Sequence, residues 1–228
     1  MIENDATHDR TTRRLLAAGV VAGLLFMGAA LVQAFTRPGF DLSRNAISQL
    51  SLGDLGWIQV ANFVVTGLLV LCLAAGVRRA LRPGRAGTFG PLLLGAYGVG
   101  MLGAGIFSTD PQLGFPPGAP AGVPATFSWH ANLHNLAFIL AFSGLTIACL
   151  VLACREAGLR AWGWAAYSAG TGVAVPGLIA LAATGAVPAS PALVVLGLVT
   201  SGWVAVISLR LPSEVSAISN LSPLSSPA

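Results

Sequence analysis

The chain has 228 residues, of which 55% are hydrophobic and only 9% are charged. A soluble domain carries about 25% charged residues, so this composition excludes an ordinary soluble protein and indicates one that crosses a membrane several times. The formal net charge of +4 does not indicate a nucleic-acid partner. Its twelve basic residues are all arginines, and most lie in short turns between apolar spans, where membrane topology explains them.

The N-terminal segment 1–12 is polar and predicts a disordered tail. The first apolar span follows from Leu15 to Phe35 and is long enough to cross about 30 Å of hydrocarbon. A basic start before an apolar run is also typical of a signal peptide, and Val32-Gln33-Ala34 resembles a cleavage site. Because the run exceeds the roughly 15 residues of a signal-peptide core, we expect an uncleaved helix.

The segment from Thr36 to Gly56 is too polar to cross a membrane. Four of its apolar residues share one helical face: Leu42, Ala46, Ile47 and Leu50. Asp41 or Ser43 is suited to cap the start of such a helix. We therefore predict a short amphipathic helix on the outer membrane surface that ends near Gly53.

Five further spans are predicted from their apolar length: Trp57–Val77, Phe89–Phe107, Ala131–Cys154, Ala161–Thr184 and Pro191–Leu209. The third and fifth contain small residues at every fourth position, which allow close helix packing: Ala96, Gly100 and Ala104, then Ala166, Gly170 and Ala174. The predicted fold is an all-α bundle of six transmembrane helices over residues 13–210. Residues 211–228, rich in Ser and Pro, predict a second disordered tail.

Arginine distribution predicts the orientation of the bundle. With the N-terminus in the cytoplasm, two arginines, Arg37 and Arg44, lie outside. The other ten lie inside: Arg10, Arg13, Arg14, Arg78, Arg79, Arg82, Arg85, Arg155, Arg160 and Arg210. Positive residues favour the cytoplasmic side, so we expect a multi-pass protein of the bacterial inner (cell) membrane with both termini in the cytoplasm.

This topology places five acidic and histidine residues at the outer face: Asp41, Asp54, Asp110, His130 and His134. All of them except Asp54 define a candidate polar pocket. The histidines are four residues apart and share a helix face if the fourth helix begins before His130. Two imidazoles at this spacing can bind one zinc ion, with Asp110 as a third ligand and Asp41 as another candidate. Asp41 and Asp110 are also the candidate catalytic carboxylates.

Each of these residues also has a structural interpretation. His130 is suited to be an interfacial aromatic beside Trp129, and His134 to hydrogen-bond a neighbouring helix. Asp110 precedes a proline and is suited to form a turn, and Asp41 to cap a helix.

The polar segment after the first span supplies the candidate ligand-binding residues. These are Arg44, Ser43 and Asn45. An arginine here can hold a lipid phosphate or carboxylate, or pair with Asp41.

Three stretches carry a family resemblance: RPGFD after the first span, NAISQLSLGDLGWIQVANF before and into the second, and GIFSTDP after the third. Together with the histidine-containing start of the fourth span, they resemble an uncharacterised prokaryotic multi-pass membrane family, domain of unknown function 998. The resemblance covers roughly Leu15 to Leu209. It implies a six-helix integral membrane protein and supplies no activity.

A weaker likeness is to the ceramidase-like membrane hydrolases, which arrange a serine, an aspartate and several histidines around zinc. This chain departs from that pattern in two respects. No predicted span holds a third histidine, and the spans number six instead of seven.

Three functional hypotheses follow. The sequence favours a bundle whose outer pocket binds a membrane lipid, a small molecule or a partner protein. The alternative is a zinc-dependent hydrolase of a lipid or envelope substrate, in which His130, His134 and Asp110 hold the metal, Asp41 orients water and Arg44 holds the head group. The third is a small transporter with two three-helix halves, although the halves show no visible similarity. Whether any reaction is catalysed stays open.

Overall fold

The computed structural model describes the backbone of residues 2–184 and 188–221, and the side chains of residues 10–184 and 188–212. It contains six α-helices: α1 (Ile2–Thr36), α2 (Gly56–Leu81), α3 (Ala86–Ile106), α4 (Trp129–Gly158), α5 (Trp162–Thr184) and α6 (Ala189–Leu221). All six are long and apolar enough to cross a membrane. Within the described residues there is no β-strand, and one isolated bridge joins Gln112 to Phe115. The predicted all-α bundle of six helices is confirmed.

Both segments predicted as tails contain helix. The predicted disordered segment 1–12 is helical from Ile2, because the first glycine is Gly19 and no proline interrupts the run before it. The predicted disordered segment 211–228 is helical as far as Leu221, with Pro212 inside α6. Residues 222–228, and residues 185–187 of the predicted turn between the last two spans, lie outside the described residues.

The helices form a closed ring in chain order. Each helix packs against the next, and α6 returns to pack against α1. The closure depends on a small residue, because a Cβ added at Gly23 of α1 would collide with the Ser201 carbonyl of α6. Close approach through small residues is the usual way for membrane helices to gain packing contacts.

Of the two predicted ladders of small residues, the first packs as expected. A Cβ added at Gly100 would lie 2.6 Å from the Ala137 carbonyl of α4, so α3 and α4 are in close contact there. The ladder in α5 does not pack in this way, because Gly170 has no neighbour within 4 Å of an added Cβ and Ala166 is exposed. The bundle side of α5 is formed instead by a different set: Ala165, Ser168, Thr171, Gly172 and Val175.

The predicted surface helix is a single turn of 3-10 helix, Ile47–Ser51. It does not start at Asp41 or Ser43, because the chain forms turns from residue 42 to residue 44 and the cap position is Ala46. It contacts α1, α2 and α6, and its Leu50 side chain is fully buried. The 3-10 helix therefore covers one end of the ring of helices.

The two ends of the bundle differ in charge. We call the end with residues 37–55 and 107–128 the capped end and the opposite one the arginine end. At the arginine end the fully buried carboxylate of Glu156 on α4 accepts hydrogen bonds from Arg155, at 2.9 Å, and from Arg210 of α6, at 2.7 Å. The Arg210 guanidinium lies 4.3 Å from the centre of the Trp164 ring on α5. This cluster joins α4, α5 and α6.

Candidate functional site

The two segments of the capped end interlock through side chains that are almost fully buried. The Gln49 amide nitrogen donates to the Gln112 carbonyl at 2.8 Å, while its amide oxygen accepts from the Ala46 backbone N–H, also at 2.8 Å. The Asn45 amide donates to the Leu113 carbonyl at 3.2 Å. Buried polar groups of this kind stabilise one arrangement when every group has a partner. The cap is therefore held by specific hydrogen bonds.

Arg37 adds a second connection within the cap. Its guanidinium donates to the carbonyls of Leu50, at 3.0 Å, and Leu52, at 2.7 Å, and lies 5.3 Å from the centre of the buried Phe115 ring. Desolvation by partial burial lowers the pKa of Arg37, and the nearby charge of Asp54 opposes that shift. The guanidinium stays charged, because an arginine pKa begins so far above neutrality. Arg37 thus fixes the end of the 3-10 helix to the Phe115 loop.

The predicted residues after the first span form a local turn. The Asp41 carboxylate accepts hydrogen bonds from the Ser43 hydroxyl and backbone N–H, and these bonds lower the pKa of Asp41. Arg44 lies 3.4 Å from the same carboxylate, and both side chains are exposed. Asn45 is fully buried, and its amide oxygen accepts from the Asp41 backbone N–H at 2.9 Å. The structure thus shows these side chains in hydrogen bonds that shape the turn.

Asp110 fixes the start of α4. Its two carboxylate oxygens accept from the backbone N–H of Ser128, at 2.7 Å, and from the Ser128 hydroxyl, at 2.6 Å. Ser128 is the N-cap of α4, and its hydroxyl oxygen accepts from the Ala131 N–H at 3.2 Å. Asp110 therefore connects the end of α3 to the N-terminus of α4, where a negative charge is favourable.

We expect Asp110→Ala to lower the free energy of unfolding by about 1–2 kcal/mol, the usual cost of losing a helix cap and its hydrogen bonds. Ser128→Ala should cost a similar amount. Since the two side chains act through one contact, the double variant should cost clearly less than the sum. Unfolding in detergent of the two single variants and the double variant measures this coupling. Strictly additive losses would contradict the proposed contact.

The two histidines both lie in α4, which begins at Trp129, two residues before the predicted span, and they have different surroundings. The His130 ring stacks on the exposed Trp129 ring, with ring centres 3.6 Å apart. His134 is buried, and its Nδ1 lies 2.8 Å from the Phe107 carbonyl at the end of α3. Because a carbonyl oxygen only accepts, Nδ1 carries the proton. His134 therefore joins α4 to α3, as its structural interpretation expects.

The predicted zinc site has no ligand set in the described part of the chain. No group of three or more His, Cys, Asp and Glu side chains is placed to hold a metal ion there. Asp110 is hydrogen-bonded to Ser128 and Asp41 to Ser43, so each candidate carboxylate already has a partner. A zinc hydrolase needs three protein ligands and an open position. The zinc-hydrolase hypothesis therefore stays a prediction, because the described residues do not form such a ligand set.

Of the four residues of the predicted polar pocket, only His134 lines the central cavity. This cavity lies inside the ring directly beneath the 3-10 helix and measures about 80 Å³. Its wall is contributed by five of the six helices and by the 3-10 helix: Phe26, Ala46, Ile47, Ser48, Phe63, Met101, His134, Phe138, Phe142, Leu193, Leu196 and Gly197. Four phenylalanines dominate the lining, and Ser48 and His134 are its polar side chains.

The cavity adjoins a larger groove on the outside of the bundle. The groove, about 450 Å³, runs between α4 and α5, with Thr146 and Ile147 on one side and Pro176 and Ile179 on the other. Phe138 and Phe142 line both the cavity and the groove, so these two half-buried rings separate them. The central cavity thus borders the membrane-facing surface.

Sequence analysis missed this cavity, although one signal was present. His134, Phe138, Phe142 and Thr146 follow one another at intervals of four residues and so share one face of α4. The sequence analysis paired His134 only with His130, toward the cap. The same interval, continued from His134 toward the C-terminus of α4, predicts the wall of the cavity. The interlocking role of Gln49 and Gln112 had no comparable signal, because their contact joins distant parts of the chain.

Comparison with known proteins yields one match. A family model described as "Protein of unknown function (DUF998)" matches residues 20–210. The matched region includes about half of α1, most of α6, the four helices between them and both segments of the cap. No curated protein and no solved structure matches the chain.

Proposed function

Because the chain belongs to the family described as "Protein of unknown function (DUF998)", which assigns no activity, we propose a function from the cavity itself. The protein binds a single-chain amphiphile with a small polar head, taken from the surrounding bilayer. Its head lies beneath the 3-10 helix, and its tail leaves the ring between α4 and α5. The observation that carries this proposal is the aromatic cavity lined by five helices and bordered by a membrane-facing groove.

The size of the cavity limits the head group. The cavity, at about 80 Å³, is small compared with the groove of about 450 Å³ beside it. A hydroxyl or carboxyl head fits this space. The space also holds no pair of acyl chains. Size therefore supports a fatty acid, a fatty alcohol or an isoprenoid alcohol.

Polarity within the cavity supports the direction of binding. Ser48 and His134 line the cavity near the cap. The Ser48 hydroxyl makes no hydrogen bond to any of the described residues, so it is available to a ligand. Phe142 lies two turns further along α4 than His134, about 12 Å at 1.5 Å per residue. The lining thus changes from polar to aromatic with depth. Ligand sites are typically apolar with a few such polar groups that fix orientation.

The α4–α5 groove provides room for the tail. Its volume of about 450 Å³ is several times that of the cavity, and its lining is mostly aliphatic. The tail passes Phe138 and Phe142, which line both the cavity and the groove. The arginine bias further supports an orientation in which the capped end, and so the head group, faces away from the cytoplasm.

A variant that fills the cavity tests the proposal. Leu193 lines the cavity from α6 and is half-buried, so Leu193→Trp should fill the space that the head group needs. Leu198 lies on the same helix but is exposed and outside the cavity, so Leu198→Trp is a matched control. We expect a defined single-chain lipid to copurify with the wild-type protein and the control, and to fall at least tenfold in Leu193→Trp.

The measurement is mass spectrometry of lipids extracted from protein purified in mild detergent. Thermal unfolding of all three proteins shows whether each is folded. If the three folded proteins carry the same lipids in the same amounts, the cavity does not select a ligand and the proposal is wrong.

A further inference from the structure

A second groove lies at the arginine end, far from the central cavity. It runs between the α2–α3 turn and α4, has a volume of about 570 Å³, and is lined on one side by Arg85 and Phe89 and on the other by Leu150 and Arg155. This volume falls within the range of about 300–1,000 Å³ that is typical of ligand pockets. No residue of this groove takes part in the central cavity.

Polar and apolar groups lie at different levels in this groove. Arg85 precedes the first turn of α3, and Phe89 follows four residues later, about 6 Å further along the helix. Arg155 lies near the end of α4, and Leu150 precedes it by five residues, about 7.5 Å. Both guanidiniums therefore lie at the rim, and an apolar wall lies on the hydrocarbon side. Phe89 is 53% exposed and Leu150 40% exposed, so the protein leaves this wall uncovered.

The α2–α3 turn makes the rim positive. Its segment 78–88 has no acidic residue and four arginines: Arg78, Arg79, Arg82 and Arg85. Arg85 is exposed, and among the described residues it makes no ion pair or hydrogen bond through its side chain. Arg155, on the α4 side of the groove, is ion-paired with Glu156. A ligand with negative charge at this level is therefore favoured.

We propose that this groove binds an anionic phospholipid. The phosphate lies between Arg85 and Arg155, and one acyl chain lies along Phe89 and Leu150. Guanidinium groups bind phosphate through charge-assisted hydrogen bonds. A zwitterionic lipid brings its own cation to the rim and binds more weakly. In the proposed orientation this end faces the cytoplasmic leaflet, where arginines beside membrane helices attract anionic lipids.

Native mass spectrometry of the full-length protein, titrated in mild detergent with phosphatidylglycerol or phosphatidylcholine, tests the site. We expect wild-type protein to bind phosphatidylglycerol at least tenfold more tightly than phosphatidylcholine. Arg85→Gln should remove most of this preference. Arg82→Gln is the matched control, because Arg82 is exposed in the same turn but does not line the groove. Phe89→Ser, which alters the apolar wall without changing charge, should weaken the binding of both lipids.

Two comparisons separate binding of a whole lipid at this groove from binding of a phosphate group alone or from a general effect of positive charge. Soluble glycerol phosphate at the same concentration should not displace phosphatidylglycerol, because it has no chain for the apolar wall. Displacement by glycerol phosphate, or an equal loss of binding in Arg82→Gln and Arg85→Gln, would overturn the proposal. Arg155 is left unchanged in these tests because its loss would also disturb Glu156. The proposal does not depend on the central cavity, so either can fail alone.

Discussion

Glu156→Ala should lower the free energy of unfolding by about 3 kcal/mol, because it leaves the partly buried Arg155 and Arg210 without their shared counter-charge. This estimate is at the low end for a broken buried ion pair, since both arginine side chains retain some exposure to solvent. For a chain of this length the loss corresponds to a fall in Tm of roughly 6–12 °C. Thermal unfolding in detergent measures it.

The control for this experiment removes an exposed carboxylate. Asp54→Ala alters a surface residue of the cap, and such substitutions usually change stability by no more than about 0.5 kcal/mol. Equal Tm values for Glu156→Ala and the wild-type protein would show that the cluster does not join α4 to α6.

Gln49→Leu should destabilise the cap by about 3 kcal/mol. The leucine is close in size, but it leaves the Ala46 N–H and the Gln112 carbonyl without their partners. Each unsatisfied buried group costs about 1–3 kcal/mol. Hydrogen exchange of residues 107–128 should increase together with the loss in Tm, because the 3-10 helix and this loop no longer hold each other.

Gln112→Leu is the matched control for this variant. The backbone carbonyl of Gln112 accepts the hydrogen bond from the Gln49 amide, so replacing the Gln112 side chain leaves that bond in place. A loss in Gln112→Leu as large as that in Gln49→Leu would mean that general packing, and not the amide bridge, holds the cap together.

The helices could be predicted from the sequence because each one depends on local information. Six apolar runs of sufficient length fix the number of helices, and α2 begins one residue before the predicted Trp57. The helix ends were predicted less well. Polar composition suggested disorder over residues 1–12, but polar residues without Gly or Pro continue a helix once an apolar segment has started it. The backbone of α1 accordingly begins at Ile2.

The candidate site could be predicted only in part. Its polar residues were found at the correct end of the bundle, and the structural interpretation of His134 agrees with its bond to Phe107. Asp110 meets its partner at the other end of its own segment, and Gln49 meets its partner in the other segment of the cap. Single-sequence spacing encodes neither contact. The central cavity requires the arrangement of five helices. Only its stripe along α4, from His134 to Phe142, can be read from the sequence.

The most direct test of the central claim is photo-crosslinking at Phe142, which lies between the central cavity and the α4–α5 groove. Benzoylphenylalanine is placed at this position, or at the exposed Leu140 of the same helix as a control, and the protein is irradiated in its native membrane. We predict that mass spectrometry will find one single-chain lipid attached at Phe142 and a mixture of bulk phospholipids at Leu140. The same mixture at both positions would contradict a ligand-binding cavity.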